Sequence, residues 1–243
     1  MAVMRLPRAM LIDMDDTILS AYGRPEIAWN HVASEFAGEL APLPPPAVAA
    51  AVLAFARSFW STAEPAWRLK LGEARRVTVQ GGFDALAATG HAQLPNELAI
   101  RIADRFTEYR EEEMFIFPGA HDAIDALRTL GVRLALVTNG AADTQRAKVE
   151  RFELAHRFDH IQIEGEHGFG KPEERAYLHA MNALGVAAAD TWMIGDNLEW
   201  EIAAPQKLGI YAVWMDVHGD GLPRGSTVKP DRIIRSLGEL LPK

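Results

Sequence analysis

The chain contains no cysteine, and this absence excludes disulfide bonds, thiolate metal sites and cysteine nucleophiles. It also lacks a surplus of positive charge, since 25 Lys and Arg residues face 33 Asp and Glu residues, for a formal net charge of -8. A chain this acidic has no electrostatic reason to bind the nucleic-acid backbone or an anionic membrane surface. We therefore expect a small-molecule partner, with neither nucleic acid nor a membrane involved.

Long hydrophobic runs are absent as well. In the N-terminal segment MAVMRLPRAMLIDMDD, acids interrupt the apolar residues after a few positions, which is too short for a signal sequence or a membrane span. Because a chain without disulfides does not require an oxidising compartment, we expect a soluble cytoplasmic protein without a targeting segment. The 243 residues, 49% of them apolar, suffice for one large domain or two modest ones.

The chain does contain strands that alternate with helical patterns after Phe117. A short apolar strand is also predicted at 9–12, before the first acids. The later strands are predicted at RLALVT (133–138), HIQIE (160–164), TWMIG (191–195) and IYAVWMD (210–216), with a last candidate at DRII (231–234). This alternation predicts an α/β fold with a doubly wound, Rossmann-like parallel sheet and right-handed crossovers.

Residues 24–113 show helical patterns but no convincing strand. These patterns cover 26–40, 46–60 and 96–113, and they are separated by LPPP, by Gly81-Gly82 and by QLP. The glycine pair is expected to mark a bend, a close approach or a loop. We predict an inserted all-α domain at 21–115 and a catalytic core formed by 1–20 and 116–243.

Polar side chains stand where four of the predicted strands end. Asp13 and Asp15 follow the first strand, Thr138 ends the next, a loop leads from the third to Lys171, and Asp196 follows the fourth. The carboxyl ends of parallel strands meet at one edge of a sheet, where ligands bind. A single acid at such a position is common in turns, but turn chemistry does not explain the whole set.

Crowding of Asp13, Asp15 and Asp196 at one edge would place like charges close together. Such crowding raises a carboxyl pKa or recruits a cation. Mg²⁺ prefers oxygen ligands and is commonly bound by one or two carboxylates together with a substrate phosphate. The acids therefore indicate a magnesium site that acts on a phosphate group.

Four segments, DMDDT (13–17), VTNG (137–140), GKP (170–172) and GDN (195–197), resemble in this order the motifs of the haloacid dehalogenase-like (HAD) superfamily. The helical insertion resembles the first-type cap of that family, and the resemblance covers essentially the whole chain. It implies a Mg²⁺-dependent phosphatase, similar to phosphoglycolate phosphatases, with a cap that closes over the core. In this family, the residue matching Asp13 attacks phosphorus and forms an aspartyl-phosphate that water hydrolyses.

The resemblance also implies roles for the remaining motif residues. Asp15 would be the general acid and base, and its presence favours phosphate-ester hydrolysis because the dehalogenase branch lacks this second aspartate. Thr138, Asn139 and Lys171 would bind the phosphoryl group. The metal ligands would be Asp13, Asp196 and the backbone carbonyl of Asp15.

Some residues near these motifs have weaker support. The fourth motif often has an aspartate where this chain has Glu201, which leaves three alternatives: contact with a metal-bound water, contact with Lys171, or a solvated glutamate in the first helical turn. Thr17 and Asn197 are second-tier candidates, and Asp16 fits a turn carboxylate. His156 and His160 have i, i+4 spacing but no following glutamate, and we expect them to be unliganded.

The stretch GEHGFGKPEE (165–174) has the G-x-x-x-x-G-K spacing of a nucleotide-binding loop. Pro172 stands where such a loop needs a Ser or Thr hydroxyl for Mg²⁺, and it suits the first turn of a helix. We interpret Lys171 as a lysine delivered to the carboxylates of other strands. The alternatives to a phosphatase are a 2-haloacid dehalogenase and a non-catalytic ligand-binding protein, each as a monomer or homodimer.

Overall fold

The computed structural model describes residues 5–242, so residues 1–4 and 243 of the predicted core lie outside the described residues. The described residues form two compact units. One unit comprises 5–20 and 115–242, and the other comprises 21–114. Within 5–242, no helix combines the length and the apolar character needed to cross a membrane.

Residues 21–114 form a helical unit with its own core. Its helices are α1 (Pro25–Glu35), α2 (Ala37–Leu40), α3 (Pro45–Thr62), α4 (Leu71–Ala88) and α5 (Asn96–Glu112), with a 3₁₀ segment at Pro65–Lys70. Apolar faces of these helices meet in one cluster, where the rings of Trp29 and Phe106 stack with centroids 3.7 Å apart. Trp29 therefore packs inside this unit.

Helix α4 is the element that the sequence patterns do not predict, because Gly81-Gly82 is typical of a break. In the structure both glycines are buried within a continuous helix. A Cβ atom on Gly81 would lie 2.3 Å from the ring of Phe55, and one on Gly82 would lie 2.8 Å from the Cα of Val52. The pair therefore permits the close approach of α4 to α3.

The other unit is built on a six-stranded sheet in which every neighbouring pair is parallel. Its strands are β1 (Ala9–Ile12), β4 (Arg133–Thr138), β5 (His160–Ile163), β6 (Thr191–Gly195), β7 (Tyr211–Met215) and β8 (Arg232–Ile234), in the order β5-β4-β1-β6-β7-β8. Two short strands, β2 (Leu19–Ser20) and β3 (Phe115–Ile116), pair antiparallel apart from this sheet. The predicted α/β fold is confirmed.

Helices alternate with the strands of the sheet. They are α6 (Ala120–Thr129), α7 (Ala142–Arg151), α8 (Glu164–His167), α9 (Glu174–Leu184) and α10 (Ala204–Lys207), with a π-helical turn at Leu198–Ala203 and a 3₁₀ segment at Leu237–Leu240. Glu164 begins α8 instead of extending β5, and Pro172 lies before α9 and not in its first turn. Tyr177 and Leu184 of α9 pack against the buried face of the sheet.

The register of the sheet brings the ends of its central strands together. Ile12, the last residue of β1, pairs with Leu136 of β4 on one side and with Ile194 of β6 on the other. The chain continues straight past this point, since the N–H of Asp13 donates to the carbonyl of Ile194 at 2.9 Å. Residues that follow β1, β4 and β6 therefore share one edge.

Substituting Gly82→Ala is expected to destabilise the protein by about 1–3 kcal/mol, because the added methyl would collide with the backbone of α3. Gly72→Ala is the matched control in the same helix, since nothing lies within 4 Å of a Cβ there. The control should be neutral or stabilising by up to about 1 kcal/mol. Urea unfolding of both variants measures the difference, and equal effects would contradict the close-approach explanation.

Candidate active site

A buried ammonium lies between two carboxylates at the carboxyl edge of the sheet. Lys171 Nζ is 2.5 Å from Oδ1 of Asp13 and 2.7 Å from Oε1 of Glu201. Lys171 and Glu201 are each only 1% exposed, and Asp13 is 6% exposed. Solvent therefore screens these contacts weakly.

Burial and charge act together on the protonation of these groups. Burial lowers the pKa of Lys171, but the carboxylates of Asp13 and Glu201 outweigh burial and raise that pKa above its usual value. Burial raises the pKa of Asp13 in spite of Lys171. Desolvation, with the charges of Glu201 and Asp13, also holds the pKa of Asp196 well above its usual range. Two carboxylates therefore contact one ammonium, and the third, Asp196, lies close enough for their charges to act on its pKa.

The side-chain carboxylate of Asp196 differs from the others because no described group donates a hydrogen bond to it. Among residues 5–242 its side chain has no hydrogen bond or ion pair, while its main-chain oxygen accepts a hydrogen bond from Trp214 Nε1 at 2.6 Å. Asp13, Asp196 and the carbonyl of Asp15 supply oxygen donors, which hard divalent cations prefer. The unbonded carboxylate and the surplus of negative charge fit a Mg²⁺ ion at these residues.

Local capping places Glu201 next to Lys171. Asn197 Oδ1 accepts hydrogen bonds from the N–H groups of Glu199 and Trp200, and the Asn197 N–H donates to Glu201 Oε2 at 2.7 Å. A Cβ atom on Gly195 would lie 2.0 Å from Glu201 Cγ, so only glycine leaves room at this position. Glu201 therefore contacts Lys171, and the alternative of a solvated glutamate is wrong.

Asp15 is held by two residues that the motifs do not predict. Lys148 Nζ lies 2.8 Å and 2.9 Å from the two carboxylate oxygens, and Gln145 Nε2 donates to Oδ2 at 2.9 Å. The same Nε2 donates to Thr138 Oγ1 at 2.6 Å. Because the Thr138 oxygen accepts this bond, its own proton is left to donate elsewhere.

Gln145 and Lys148 are buried on helix α7, which follows the strand that ends in Thr138. Their i, i+3 spacing places them on one face of that helix. A polar pair on the inward face of a helix next to the motif is the signal that could have identified them. The sequence pattern alone does not distinguish this face from a solvated one.

Asn139 has a role that differs from the predicted contact with phosphate. Its Nδ2 donates to the carbonyl of Lys171 at 2.6 Å, and its Oδ1 accepts from the Lys171 N–H at 2.9 Å. A Cβ atom on Gly170 would lie 2.6 Å from that Oδ1. Asn139 thus fixes the backbone that carries Lys171, and phosphate binding by its side chain stays a prediction.

Asp16 and Thr17 lie beside the carboxylates but interact differently. Asp16 adopts a left-handed conformation with φ 57°, and its N–H donates to the Leu19 carbonyl at 2.7 Å, as in a turn. Thr17 is fully buried, and its Oγ1 has no hydrogen-bond partner within 5–242. It lines a cavity of about 270 Å³ with Phe117 and Met215. A site role for Thr17 stays a prediction.

A family model for haloacid dehalogenase-like hydrolases matches residues 7–209 of this chain. The matched range contains the whole constellation just described, from Asp13 to Glu201. The chain belongs to the haloacid dehalogenase-like hydrolase family.

Phosphoserine phosphatase from Thermus thermophilus is 36% identical over 65% of this chain and 61% of its own length, so the chain spans less than two thirds of that relative. The structure of YfnB from Bacillus subtilis, solved bound to magnesium, is 26% identical with a TM-score of 0.68 and covers 97% of both chains. A 2-haloacid dehalogenase from Pseudomonas syringae is 24% identical with a TM-score of 0.58, covering 97% of this chain and 96% of that one. The likeness to the dehalogenase shows the fold alone.

The protonation of Glu201 predicts a pH dependence of stability. Burial raises the pKa of Glu201 from its usual value of 4.5 to about 7, although Lys171 opposes the shift. The folded state therefore binds more protons than the unfolded state between these two values. This contribution to stability is complete at low pH and is lost as the pH rises through 7.

Relative to Glu201→Gln, the free energy of unfolding of the wild type should fall by about 1–3 kcal/mol between pH 5 and pH 8. The measurement is urea unfolding in a chelating buffer, so that no divalent cation is bound. Glu199→Gln is the control, since Glu199 is exposed in the same turn, and its curve should run parallel to that of the wild type. A parallel curve for Glu201→Gln would show that Glu201 does not titrate as inferred.

Proposed function

We propose that this haloacid dehalogenase-like hydrolase is a Mg²⁺-dependent phosphatase of a small phosphomonoester, for example a sugar phosphate, phosphoglycolate or a nucleoside monophosphate. The observation that carries the proposal is the second carboxylate, Asp15, held by Lys148 and Gln145. An alkoxide leaving group needs a proton, whereas a halide does not. The similarity to a phosphoserine phosphatase supports the same reaction class.

In this mechanism the carboxylate of Asp13 attacks phosphorus while the ester P–O bond breaks. Lys171 donates to Oδ1 of Asp13, so the attack falls to Oδ2. Asp15, after taking up a proton from solvent, gives that proton to the departing alkoxide and then takes a proton from the water that attacks the aspartyl-phosphate. Inorganic phosphate leaves, and Asp13 and Asp15 return to their starting forms.

The remaining residues bind and orient the phosphoryl group. Gln145 donates to the Thr138 oxygen, which leaves the hydroxyl proton for a phosphoryl oxygen. The ammonium of Lys171 offsets negative charge on Asp13 and on the transferring group. Asp13, Asp196 and the Asp15 carbonyl would hold Mg²⁺, which supplies charge neutralisation and polarises the phosphate. The magnesium bound to the similar YfnB supports this choice.

Replacing Asp13 by Asn should lower turnover of p-nitrophenyl phosphate with Mg²⁺ by about 10⁴-fold or more, because the amide is a poor nucleophile. Asp16→Asn is the matched control. It makes the same change three residues along the chain, at a turn position whose left-handed φ asparagine tolerates. The control should keep activity within about threefold of wild type. Full activity in the Asp13 variant would rule out the mechanism.

Lys148→Met should reduce kcat by about 10- to 100-fold on alkyl phosphates, because Asp15 loses the contact that directs it. The loss should be much smaller on p-nitrophenyl phosphate, whose leaving group departs without a proton. A merely structural defect would lower both rates equally. Arg146→Met on the same helix is the control, because Arg146 forms an ion pair with Glu166 and not with Asp15.

The two alternative functions give different results in the same assays. Release of halide from 2-chloropropionate without Mg²⁺, with no turnover of phosphate esters, would identify a dehalogenase. No turnover of a broad phosphate panel, combined with a metabolite that raises the melting temperature, would identify a binding protein. The same panel would also identify which phosphate ester is the best substrate.

The cap role of 21–114, a cytoplasmic location and a monomeric or homodimeric state stay predictions.

A further inference from the structure

Three histidines that no motif includes lie together in the unit that carries the sheet. His160 begins β5, His167 ends α8 and His179 lies within α9. One ring nitrogen of each lies within 4.8 Å of one from each of the others, and all three side chains are half-buried. The i, i+4 spacing in the sequence had paired His160 with His156, which the structure leaves exposed and outside this cluster.

Hydrogen bonds fix the tautomers of two of these rings. His167 Nδ1 lies 3.1 Å from the carbonyl oxygen of Ile163, which can only accept, so Nδ1 carries the proton. His179 Nδ1 lies 2.8 Å from Gln162 Oε1, and the orientation of that amide is set because its Nε2 donates to the Ala176 carbonyl at 3.0 Å. In both rings Nε2 therefore presents a lone pair.

The third ring supplies a buried nitrogen without a partner. His160 Nε2 is buried and has no hydrogen-bond partner within residues 5–242. Burial, helped by the charges of His179 and His167, lowers the pKa of His160 and favours its neutral form. An unsatisfied buried nitrogen destabilises the folded protein, and a ligand would remove that cost.

We propose that His160, His167 and His179 bind a divalent transition-metal ion, represented by Zn²⁺, through their ring nitrogens. Imidazole nitrogen suits zinc, nickel, cobalt and copper, whereas magnesium prefers oxygen. At a Zn–N distance of about 2.0–2.1 Å, tetrahedral ligands lie about 3.4 Å apart. To bind the ion, the ring nitrogens, now within 4.8 Å of one another, would have to approach to that distance, with water as the fourth ligand.

The hydrogen bonds that usually orient metal-binding histidines are already present in this cluster. Ligating histidines usually donate their other ring N–H to a carbonyl or a similar acceptor, which fixes the ring and raises its basicity. The carbonyl of Ile163 and the amide oxygen of Gln162 have this role here. Three ligands from β5, α8 and α9 would tie together the segment 160–179, which contains Lys171. The proposal does not depend on the phosphatase assignment.

The test is a calorimetric titration of the full-length, tag-free protein with Zn²⁺ in excess Mg²⁺, which occupies the carboxylates. We expect one zinc per chain, and at least tenfold weaker binding in His160→Asn and in His179→Asn. His156→Asn should bind zinc like the wild type, and Asp196→Asn should keep the zinc site. Co²⁺ should give the intense visible absorption of a tetrahedral nitrogen site in the wild type and should not give it in His160→Asn.

His160→Asn is the decisive variant because the buried Nε2 makes no hydrogen bond that the substitution would break. The melting temperature of each variant without metal checks that it folds. His179→Asn serves as the second variant, since it removes a ligand from another element. The proposal is overturned if the wild type binds no zinc, if both variants bind it unchanged, or if His156→Asn or Asp196→Asn abolishes binding.

Discussion

The buried ammonium of Lys171 is the interaction on which the rest of the site depends. Moving an ammonium out of water costs several kcal/mol, and only closely placed carboxylates offset that cost. Asp13 and Glu201 contact Nζ directly, and Asn139 holds the backbone of Lys171 by two hydrogen bonds. Four separate chain segments must therefore be in place before this charge is tolerated.

More carboxylates lie around Lys171 than its single positive charge can neutralise. Desolvation raises the pKa of Asp13, Asp196 and Glu201. The single ammonium of Lys171 does not offset this effect, because it cannot neutralise three carboxylates. In the proposed function, a divalent cation held by these oxygens would offset the negative charge that Lys171 leaves unneutralised. Family membership shows a hydrolase, and the pairing of Asp15 with Lys148 is the observation that favours the proposed phosphatase over a dehalogenase.

The segment 160–179 combines two kinds of polar site. Its loop carries Lys171 to the carboxylates, while its strand and helices carry the three histidines. Oxygen donors suit a hard cation and imidazole nitrogens suit a softer one. The donor types therefore separate the two sites chemically, although they share one short stretch of chain.

The sequence by itself determined the sheet and the first members of the site. Strands 133–138 and 191–195 were predicted with the bounds observed, because buried parallel strands form apolar runs and their ends carry the polar residues. The motifs predicted Asp13, Asp15 and Asp196 after strand ends and Lys171 in the loop after the third strand, because local order along the chain places these residue types there.

Only the tertiary structure decided the contacts made between distant segments. Helix α4 continues through Gly81-Gly82 because α3 packs against it, and no local pattern contains that information. The pairing of Glu201 with Lys171, of Lys148 with Asp15, and of His160 with His179 joins residues from different elements. Local periodicity assigns a residue to one face of a helix or strand. Its partner from a distant segment depends on how the elements pack and on the need of a buried charged or polar group for a partner.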